Sequence, residues 1–405
     1  MPTATIQNVE DLATLPILRK KDLAAFFESV SNVRGGSAPA LFIHSSGTTG
    51  PSTFRLRSKE ELQFIWQFFS RVRGGDAKTS SLLPACLVID VQDHGGAVAL
   101  PANAFAFTIK FWDKDRLEYA IRLLTETPKV PGVRRRIEYV AAGTDVIQSL
   151  TTGLLRRGID PARLGVRSVS VGGEFLPSAR YKWLRQAWKA VVLDRWSCSE
   201  VFGSACRRRE DAPFVFDANL VVEVVDPVTR RPVSSGAGFL VLTELFPFSQ
   251  LQTLVRFEVG DLVQIRSAAT PDRFDFLGRA AGAVFHPDGR LLVAETELVE
   301  TLHDLPWVAR QTEADIGHGV EPALPASYAA RWLKTGGRPR VQLEVDVKFD
   351  PVLFPDAARE YAAMIRQRLI RRAPRLTAAL TRREIDTEVR LREVQRPAHP
   401  PAFSS

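Results

Sequence analysis

Short apolar runs alternate with segments of helical periodicity over the first half of the chain. The runs predict buried strands, because they are too short for helices and are bounded by glycine, proline and polar residues. The predicted strands lie at 40–43, 87–89, 137–141, 166–171 and 191–193. The predicted helices lie at 10–33, 58–73, 115–127, 145–157 and 178–190. Such an alternation is typical of an α/β fold with a largely parallel sheet.

The pattern changes after about residue 213, where short apolar runs are separated by proline, glycine and serine turns. Closely spaced runs of this kind predict a β-rich subdomain at about 213–278. Its predicted strands are 220–225, 238–243, 254–257 and 262–265. Helices and strands alternate again beyond it, with a loop or insertion at 315–330. These elements are a strand at 290–293, a helix at 295–303, a strand at 340–348, a helix at 355–372 and a strand at 387–394.

The sequence therefore predicts an α/β protein with two domains. The first, at 1–278, is a large multi-subdomain unit with mixed or parallel sheets and the β-rich subdomain. The second, at 279–395, is a small α+β domain, and a proline-rich tail follows at 396–405. With 405 residues, of which 45% are hydrophobic, the chain is long enough to bury a core in each domain.

Charge and cysteine content limit the class of partner. The formal net charge of +8 is carried mostly by arginine, whose planar fork suits phosphate groups. No basic run is interleaved with aromatic residues, so a nucleic-acid partner is not expected. No apolar run approaches the roughly 20 residues that span a bilayer, so a membrane partner is not expected either. The three cysteines and the absence of a secretory leader pattern predict a cytoplasmic location.

One polar segment that contains two glycines directly follows the first predicted strand. Its glycines permit tight turns and close approach to an anion, and its hydroxyl and backbone N–H groups can donate to phosphate oxygens. A polar β-turn is the alternative explanation, and the lysine-containing P-loop pattern is absent. The residues of this segment are Ser45, Ser46, Gly47, Thr48, Thr49 and Gly50.

Later segments also carry polar or aromatic groups beside predicted strands. Each of them alone is a common turn or strand-end pattern, and their order along the chain is more specific than any single one. They are Gly172-Gly173-Glu174, then Trp196-Ser197-Cys198-Ser199-Glu200, then Gly260-Asp261, and finally Gly278-Arg279.

Taken in this order, the segments resemble the motifs of the acyl-adenylate-forming superfamily, and most closely those of its phenylacetate–CoA ligase branch. The resemblance covers roughly residues 40–395. It implies that ATP and Mg²⁺ activate a carboxylic acid as its acyl-AMP with release of pyrophosphate. It also implies transfer of the acyl group to CoA, to a carrier-protein thiol or to an amine acceptor. The small domain at 279–395 would be mobile, as it is in members of this superfamily.

The resemblance also implies a role for each motif. Ser199 would contact the α-phosphate and Glu200 would hold Mg²⁺, so these two residues form the implied catalytic set with the hydroxyls of Thr48 and Thr49. The residues implied in nucleotide binding are Ser45, Ser46, Gly47, Thr48, Thr49, Gly50, Gly172, Gly173, Glu174, Trp196, Ser197, Asp261 and Arg279.

Three of these residues have individual roles in the implied nucleotide site. Trp196 would stack on the adenine, in place of another aromatic residue. Asp261 would accept hydrogen bonds from the two ribose hydroxyls. Arg279 would contact the ribose or a phosphate near the pivot between the domains, so the three residues together would hold the nucleoside.

The acyl group would lie against small side chains near two of the predicted strands. Alanine and glycine leave room for a ring there, which favours an aryl or arylacetic acid, although small residues are as often a consequence of packing. The predicted lining is Tyr139, Ala141, Ala142, Val171 and Gly172.

Two departures from the family pattern keep other functions open. Pro51 stands where the phosphate loop usually has a lysine, and no lysine follows Lys348, although the family usually has a late one. A nucleotidyltransferase that moves AMP to an acceptor hydroxyl is one alternative. A degenerate homologue that binds nucleotide without turnover is another. The sequence also leaves open whether the protein forms a homodimer.

Overall fold

The computed structural model consists of two compact units, one ending at Ala280 and one beginning at Ala281. The predicted phosphate-binding segment at 45–50 and the predicted tail at 396–405 lie outside the described residues. The described residues are 10–23, 39–44, 54–73, 82–90, 104–110, 114–267, 273–310, 326–334 and 338–394.

The first unit combines strands with amphipathic helices. Its strands are β1 (Leu18–Arg19), β2 (Pro39–His44), β3 (Phe54–Ser58), β4 (Leu83–Asp90), β5 (Phe105–Lys110), β6 (Val133–Gly143), β7 (Ser168–Gly172), β8 (Val191–Ser197), β9 (Ser204–Arg207), β10 (Phe214–Phe216), β11 (Leu220–Val225), β12 (Gly236–Glu244), β13 (Phe257–Ile265) and β14 (Arg273–Arg279). Its helices are α1 (Lys59–Arg73), α2 (Lys114–Thr125), α3 (Thr144–Arg156) and α4 (Ser178–Trp188).

Twelve of these strands form one mixed sheet in the order β11-β12-β13-β14-β10-β9-β8-β7-β6-β4-β5, with β1 beside β13. The half from β8 to β5 is parallel. The half from β8 to β11 is antiparallel. The predicted α/β fold with mixed sheets is therefore confirmed, and the β-rich segment continues the parallel half rather than forming a separate sheet.

Helix α3 shows why the parallel half is stable. Its residues Ile147, Leu150 and Leu154 are fully buried and recur every three or four positions, which places them on one face of the helix. This face packs in the same core as Val140 and Val169 of the adjacent parallel strands. Because buried apolar surface is worth about 25 cal/mol per Å², this layer is the main source of stability in the region.

Local capping chemistry sets the start of helix α1. The hydroxyl of Ser58 accepts from the backbone N–H of Glu61 at 3.1 Å, and the Glu61 carboxylate accepts from the backbone N–H of Ser58 at 2.6 Å. This reciprocal capping box satisfies two backbone donors that the first helical turn leaves unpaired. The predicted helix at 58–73 is confirmed, beginning one residue later at Lys59.

The predicted helix at 10–33 is wrong over its first part. A short 3-10 helix covers Glu10–Thr14, and the extended strand β1 follows. Pro16 lacks a backbone N–H and disfavours helical geometry at the residue before it, so an α-helix cannot continue there. Instead, the Leu18 N–H donates to the Arg256 carbonyl at 2.9 Å and joins β1 to the sheet. Residues 24–33 lie outside the described part.

Two further differences concern strands. The predicted strand at 254–257 is wrong over most of its length, because Arg256 has a φ of 51° and β13 begins only at Phe257. The region predicted as a loop at 315–330 overlaps strand β17, which begins at Tyr328. Residues 311–325 lie outside the described part.

The second unit has its own sheet and core. Its strands are β15 (Val284–Phe285), β16 (Leu291–Val293), β17 (Tyr328–Leu333), β18 (Arg340–Val347) and β19 (Asp386–Glu393). Its helices are α5 (Glu295–Leu302), α6 (Pro355–Arg372) and α7 (Pro374–Thr381). Strands β17, β18 and β19 form a three-stranded sheet, and Val345, Ile365 and Leu376 meet in one core with them. Over the described part of the chain, no helix combines the length and apolar composition that crossing a bilayer requires.

Candidate functional site

Several predicted site residues lie at the ends of strands of the large sheet. β7 ends at Gly172, β8 ends at Ser197, and β14 ends at Arg279. Gly172 lies opposite Arg195 in the β7–β8 register, and Asp261 of β13 lies opposite Arg279 in the β13–β14 register. β7 and β8 are parallel, so their carboxyl ends lie at one edge of the sheet, where ligands of α/β proteins commonly bind.

Asp261 is the centre of one group of contacts. Its carboxylate is buried, yet both oxygens face donors, because Trp196 Nε1 donates to Oδ2 at 3.2 Å and Arg279 Nε lies 3.3 Å from Oδ1. Arg279 also donates from Nη1 to the Val259 carbonyl at 3.1 Å, which fixes the guanidinium beside the carboxylate. The structure therefore brings Trp196, Asp261 and Arg279 together, and their role in nucleotide binding stays a prediction.

Trp196 is partly engaged by other aromatic rings. Its indole stacks on Phe276 with a centroid separation of 5.1 Å and an interplanar angle of 13°, and it meets Phe216 edge to face at 5.4 Å. One face of the indole is therefore already covered by protein. Adenine stacking on Trp196 stays a prediction, and it concerns the opposite face. Ser197, the next residue, is exposed.

Glu200 is the centre of a second group of contacts. Its side chain is only 10% exposed, its Oε1 lies 3.3 Å from Lys20 Nζ, and its Oε2 accepts from the Ser199 hydroxyl at 3.3 Å. Sequence reasoning predicted Ser199 and Glu200 but missed Lys20, which is 180 positions away and lies in no motif. A carboxylate of this kind, held beside a hydroxyl, is suited to a hard cation such as Mg²⁺.

The surroundings of Glu200 indicate which ligands would complete the coordination of a metal ion. Within the described ranges, no three side chains of His, Cys, Asp or Glu are grouped closely enough to hold a metal ion. Mg²⁺ is commonly bound by one or two carboxylates together with water and substrate phosphates. The residues present therefore fit a cation that arrives with a nucleotide rather than one held by the protein alone.

Cys198 lies between the two groups but is not activated. Burial raises the pKa of its thiol far above the ordinary range, and the nearby carboxylates of Glu200 and Asp261 raise it further, against a smaller lowering by Arg279. Since the thiolate is the nucleophilic form, Cys198 has the character of a packed core residue. This fits the hydrophobic cluster that it joins beside Trp196.

The loop after β7 needs both of its glycines. A Cβ on Gly172 would lie 2.9 Å from the Arg195 carbonyl oxygen, and Gly173 has a φ of 88°. The hydroxyl of Thr144 donates to the Glu174 carbonyl at 2.8 Å and faces the Gly172 carbonyl at 3.4 Å. Sequence analysis did not identify Thr144 as a site residue, because its only recognisable feature in the sequence is its position at the start of a helix. Its contacts hold the loop in a shape that permits close approach of a ligand.

The predicted acyl pocket divides between the two faces of the sheet. Successive residues of a strand point to opposite faces, so Tyr139 and Ala141 share one face while Ala142 lies on the other. Ala142 pairs with Val171, and both pack in the main core. Tyr139 is 39% exposed. Ala142 and Val171 therefore face the core, and Tyr139 and Ala141 lie on the opposite face of the sheet.

A buried network connects the segment after Glu200 with strand β3. The Glu244 carboxylate accepts from Arg55 at 2.6 Å and from Arg57 at 2.5 Å, and it also accepts from the backbone N–H of Phe202 at 2.8 Å. Burial lowers the pKa of Arg55 to about 10, against the opposing effect of Glu244. The network therefore holds strand β3 against the segment that follows Glu200.

The predicted phosphate-binding residues themselves cannot be placed. Ser45, Ser46, Gly47, Thr48, Thr49 and Gly50 lie outside the described residues. The strands on either side are described, and His44 of β2 pairs with Phe54 of β3. The segment therefore connects two paired strands, and its assignment as a phosphate loop stays a prediction.

Comparison with known proteins gives matches in sequence and in fold. No protein-family model matches the chain. A phenylacetate–coenzyme A ligase from Thermus thermophilus is 23% identical over 266 residues, which are 63% of this chain and 57% of that ligase. The chain thus spans less than two thirds of the length of this relative.

Solved structures agree with this similarity. A crystal structure of 2-hydroxyisobutyryl-CoA ligase in an open conformation, in complex with 2-HIB-AMP and CoA, has a TM-score of 0.62 at 15% identity and covers 98% of this chain and 82% of that one. O-succinylbenzoate coenzyme A synthetase from Bacillus subtilis, in complex with ATP and magnesium ion, has a TM-score of 0.53 at 12% identity over 80% of this chain and 64% of that one. The chain is therefore similar in sequence to phenylacetate–CoA ligases and similar in fold to these acyl-CoA ligase structures.

Proposed function

We propose that the chain uses ATP to activate a carboxylic acid as its acyl-AMP, with release of pyrophosphate, and then transfers the acyl group to CoA. One observation carries the proposal. The Trp196–Asp261–Arg279 contacts lie beside the Ser199–Glu200 pair, with the partly buried Cys198 close to both carboxylates. Side chains suited to a ribose and side chains suited to a metal-bound phosphate thereby lie close together.

In the nucleoside half of the site, Asp261 accepts hydrogen bonds from the ribose hydroxyls. Its two oxygens already face donors, so the carboxylate is preorganised for this task. The adenine lies between the exposed side of Trp196 and the loop Gly172-Gly173-Glu174, whose glycines permit close approach. Ser197 and Arg279 complete the contacts on the sugar side.

In the phosphate half of the site, Glu200 holds Mg²⁺ and Ser199 donates to the α-phosphate. Mg²⁺, when bound, neutralises charge on the phosphate oxygens. The hydroxyl and N–H groups of Ser45, Ser46, Gly47, Thr48, Thr49 and Gly50 bind the β- and γ-phosphates.

The reaction needs orientation more than covalent catalysis. A carboxylate oxygen of the substrate attacks the α-phosphorus, and the bond to the bridging oxygen of pyrophosphate breaks. The protein holds two anions in line and stabilises the developing charge with fixed donors. A thiolate of CoA then attacks the acyl carbon and AMP leaves. Arg279 closes β14 one residue before the end of the first unit, and it is the proposed pivot of a small mobile domain at 279–395.

The acid is of the aryl or arylacetic type. Tyr139 and Ala141 lie on one face of the sheet, where the side chains beside the tyrosine ring are small. A planar acyl group would stack on the tyrosine with its carboxylate towards the glycine loop. CoA is the preferred acceptor, and a carrier-protein thiol or an amine is the competing one. We expect the protein to act in the cytoplasm. Sedimentation analysis would test whether it forms a homodimer.

A substrate panel tests this function. The chain is incubated with ATP, Mg²⁺ and single aliphatic, aryl or arylacetic acids, and pyrophosphate is measured with and without CoA. Mass spectrometry then separates acyl-AMP, acyl-CoA and amide products. We expect pyrophosphate only when an acid is present, and acyl-CoA only when CoA is added. AMP attached to an acceptor hydroxyl, or ATP binding without turnover for every acid, would contradict the proposal.

A further inference from the structure

Lys20 is the cation that faces the carboxylate assigned to the metal. Its Nζ lies 3.3 Å from Oε1 of Glu200, and the two side chains are 28% and 10% exposed. The ammonium group thus occupies the position beside Oε1 from which a divalent cation would be bound. A contact at this depth is protected from the screening that weakens surface ion pairs.

The segment that carries Lys20 is anchored on both sides. Before it, β1 pairs with β13 in parallel, with Leu18 opposite Phe257. Arg256 holds the same segment from the interior, because its Nη1 donates to the Ala13 carbonyl at 3.1 Å and also to that of Leu15.

After Lys20, the fully buried Leu23 packs in the core cluster that contains Val201, the residue next to Glu200. The Arg19 N–H also donates to the Asp22 carboxylate at 2.9 Å across this turn. The placement of Lys20 against Glu200 is therefore fixed by the backbone on either side, while its long stem leaves the ammonium free to change partner.

Lysine and a metal ion compete for one oxygen. A mostly buried carboxylate is costly to leave uncompensated, and the ammonium supplies its counter-charge. A divalent cation on the same oxygen would repel the ammonium, which then needs another anion within the reach of its stem. Phosphate oxygens bound to that cation are the nearest anions that the proposed reaction supplies.

We propose that Lys20 is a displaceable counter-ion for Glu200, and this inference rests on the proposed function. When nucleotide is absent, Lys20 neutralises the carboxylate and lowers its affinity for a bare divalent cation. With Mg²⁺ and ATP present, Glu200 would hold the metal and the Lys20 ammonium would turn to a phosphate oxygen. The site thereby favours the metal–nucleotide complex over the free metal.

This arrangement predicts effects of opposite sign for two ligands. Replacing Lys20 with methionine should tighten the binding of free Mn²⁺ about fivefold, since a competing charge is removed. The same change should weaken the binding of Mg–ATP about tenfold or more, since a charge-assisted contact is lost. A lysine that only stabilises the fold would alter both affinities in the same direction or neither.

The test measures both affinities on the full chain. Electron paramagnetic resonance gives Mn²⁺ binding without nucleotide, and calorimetry gives Mg–ATP binding, for wild type, Lys20→Met and Lys20→Arg. Lys21→Met is the matched control, because that neighbour is exposed and lines a cleft to which neither Lys20 nor Glu200 contributes. Thermal unfolding of each variant checks that the fold persists.

We expect tighter Mn²⁺ and weaker Mg–ATP binding in Lys20→Met, near-wild-type values in Lys21→Met, and partial recovery of Mg–ATP binding in Lys20→Arg. In a Glu200→Gln background the effect of Lys20→Met on Mn²⁺ should vanish. If a folded Lys20→Met variant kept both the Mn²⁺ and the Mg–ATP affinity, or lost both, the proposed role of Lys20 would be overturned while the proposed function would stand. A wild-type chain that binds no ATP would instead remove the proposed function together with the phosphate half of this inference.

Discussion

The indole Nε1 of Trp196 donates to Oδ2 of Asp261 at 3.2 Å, so an aromatic ring and the proposed ribose carboxylate share one hydrogen bond. Ribose hydroxyls that bind to Asp261 would compete for this acceptor and change the polarity around the indole. We therefore expect AMP to alter tryptophan fluorescence. The chain has seven tryptophans, so the signal must be assigned by comparison of Trp196→Phe with Trp183→Phe. A change that persists in Trp196→Phe and disappears in Trp183→Phe would contradict this assignment.

Replacing Asp261 with asparagine should weaken the binding of ATP and AMP. The neutral amide is a poorer acceptor for ribose hydroxyls, and it leaves Arg279 without its charge partner. We therefore expect the affinity for ATP and AMP to fall about tenfold to hundredfold. Calorimetry with AMP measures the change. Asp275→Asn is the control, since Asp275 pairs with Arg266 at the surface. Equal affinities in Asp261→Asn and wild type would exclude the ribose role.

Replacing Glu200 with glutamine should lower Mg²⁺-dependent pyrophosphate release by on the order of 100-fold or more while the protein stays folded. The amide keeps the shape of the side chain but loses the charge that attracts the cation. Initial rates over a Mg²⁺ series, together with circular dichroism, give the measurement. Glu210→Gln is the matched control, because Glu210 pairs with Lys182 away from the site. Wild-type rates in Glu200→Gln would remove this residue from the metal role.

Replacing Glu244 with glutamine should destabilise the first unit. Arg55 and Arg57 are almost fully buried, and losing their shared carboxylate leaves the two charges with Glu61, which lies 4.0 Å from Arg57, as a more distant counter-charge. The expected loss is about 3 kcal/mol or more in the free energy of unfolding. Urea unfolding followed by tryptophan fluorescence measures it. The result would be contradicted if the surface variant Glu210→Gln lost as much.

The thiols of the buried Cys86 and the partly buried Cys198 should resist alkylation at pH 8. Burial raises the pKa of Cys86 to about 11 and raises that of Cys198 still more. The protonated thiol is thus favoured in the folded state. The stabilisation that arises from keeping these thiols protonated in the folded state is complete below the unfolded pKa of about 8.5. It is lost as the pH rises through the pKa of the native state. Mass spectrometry after iodoacetamide treatment should find little label on either residue in buffer and full label in urea. Rapid labelling of Cys198 in buffer would show an activated thiol.

The helices of the first unit were predictable because each has an apolar face of regular period. Helix α3 was expected at 145–157 and lies at Thr144–Arg156, and helix α1 was found through its Ser58 cap. Short strands were harder to predict. The three residues of β10 carry no periodic signal of their own, and their strand geometry depends on pairing with β9 and β14.

The contacts that organise the candidate site depend on pairs that are distant in sequence. Arg55 and Glu244 are 189 positions apart, and nothing in the local pattern around either residue indicates the other. The resemblance to a family supplied Glu200 and Asp261, because their motifs are local. It could not supply Lys20, whose importance arises from the fold of β1 onto β13.

The continuous twelve-stranded sheet limits how the protein can be dissected. A fragment that ends before Ser204 would leave β8 as a bare edge, and a fragment made only of the β-rich segment would expose the edge of β10. Unpaired edges are templates for pairing with other chains, so either fragment should self-associate or precipitate when expressed alone. Insertions and deletions that cross between the two halves of the sheet should be tolerated poorly for the same reason.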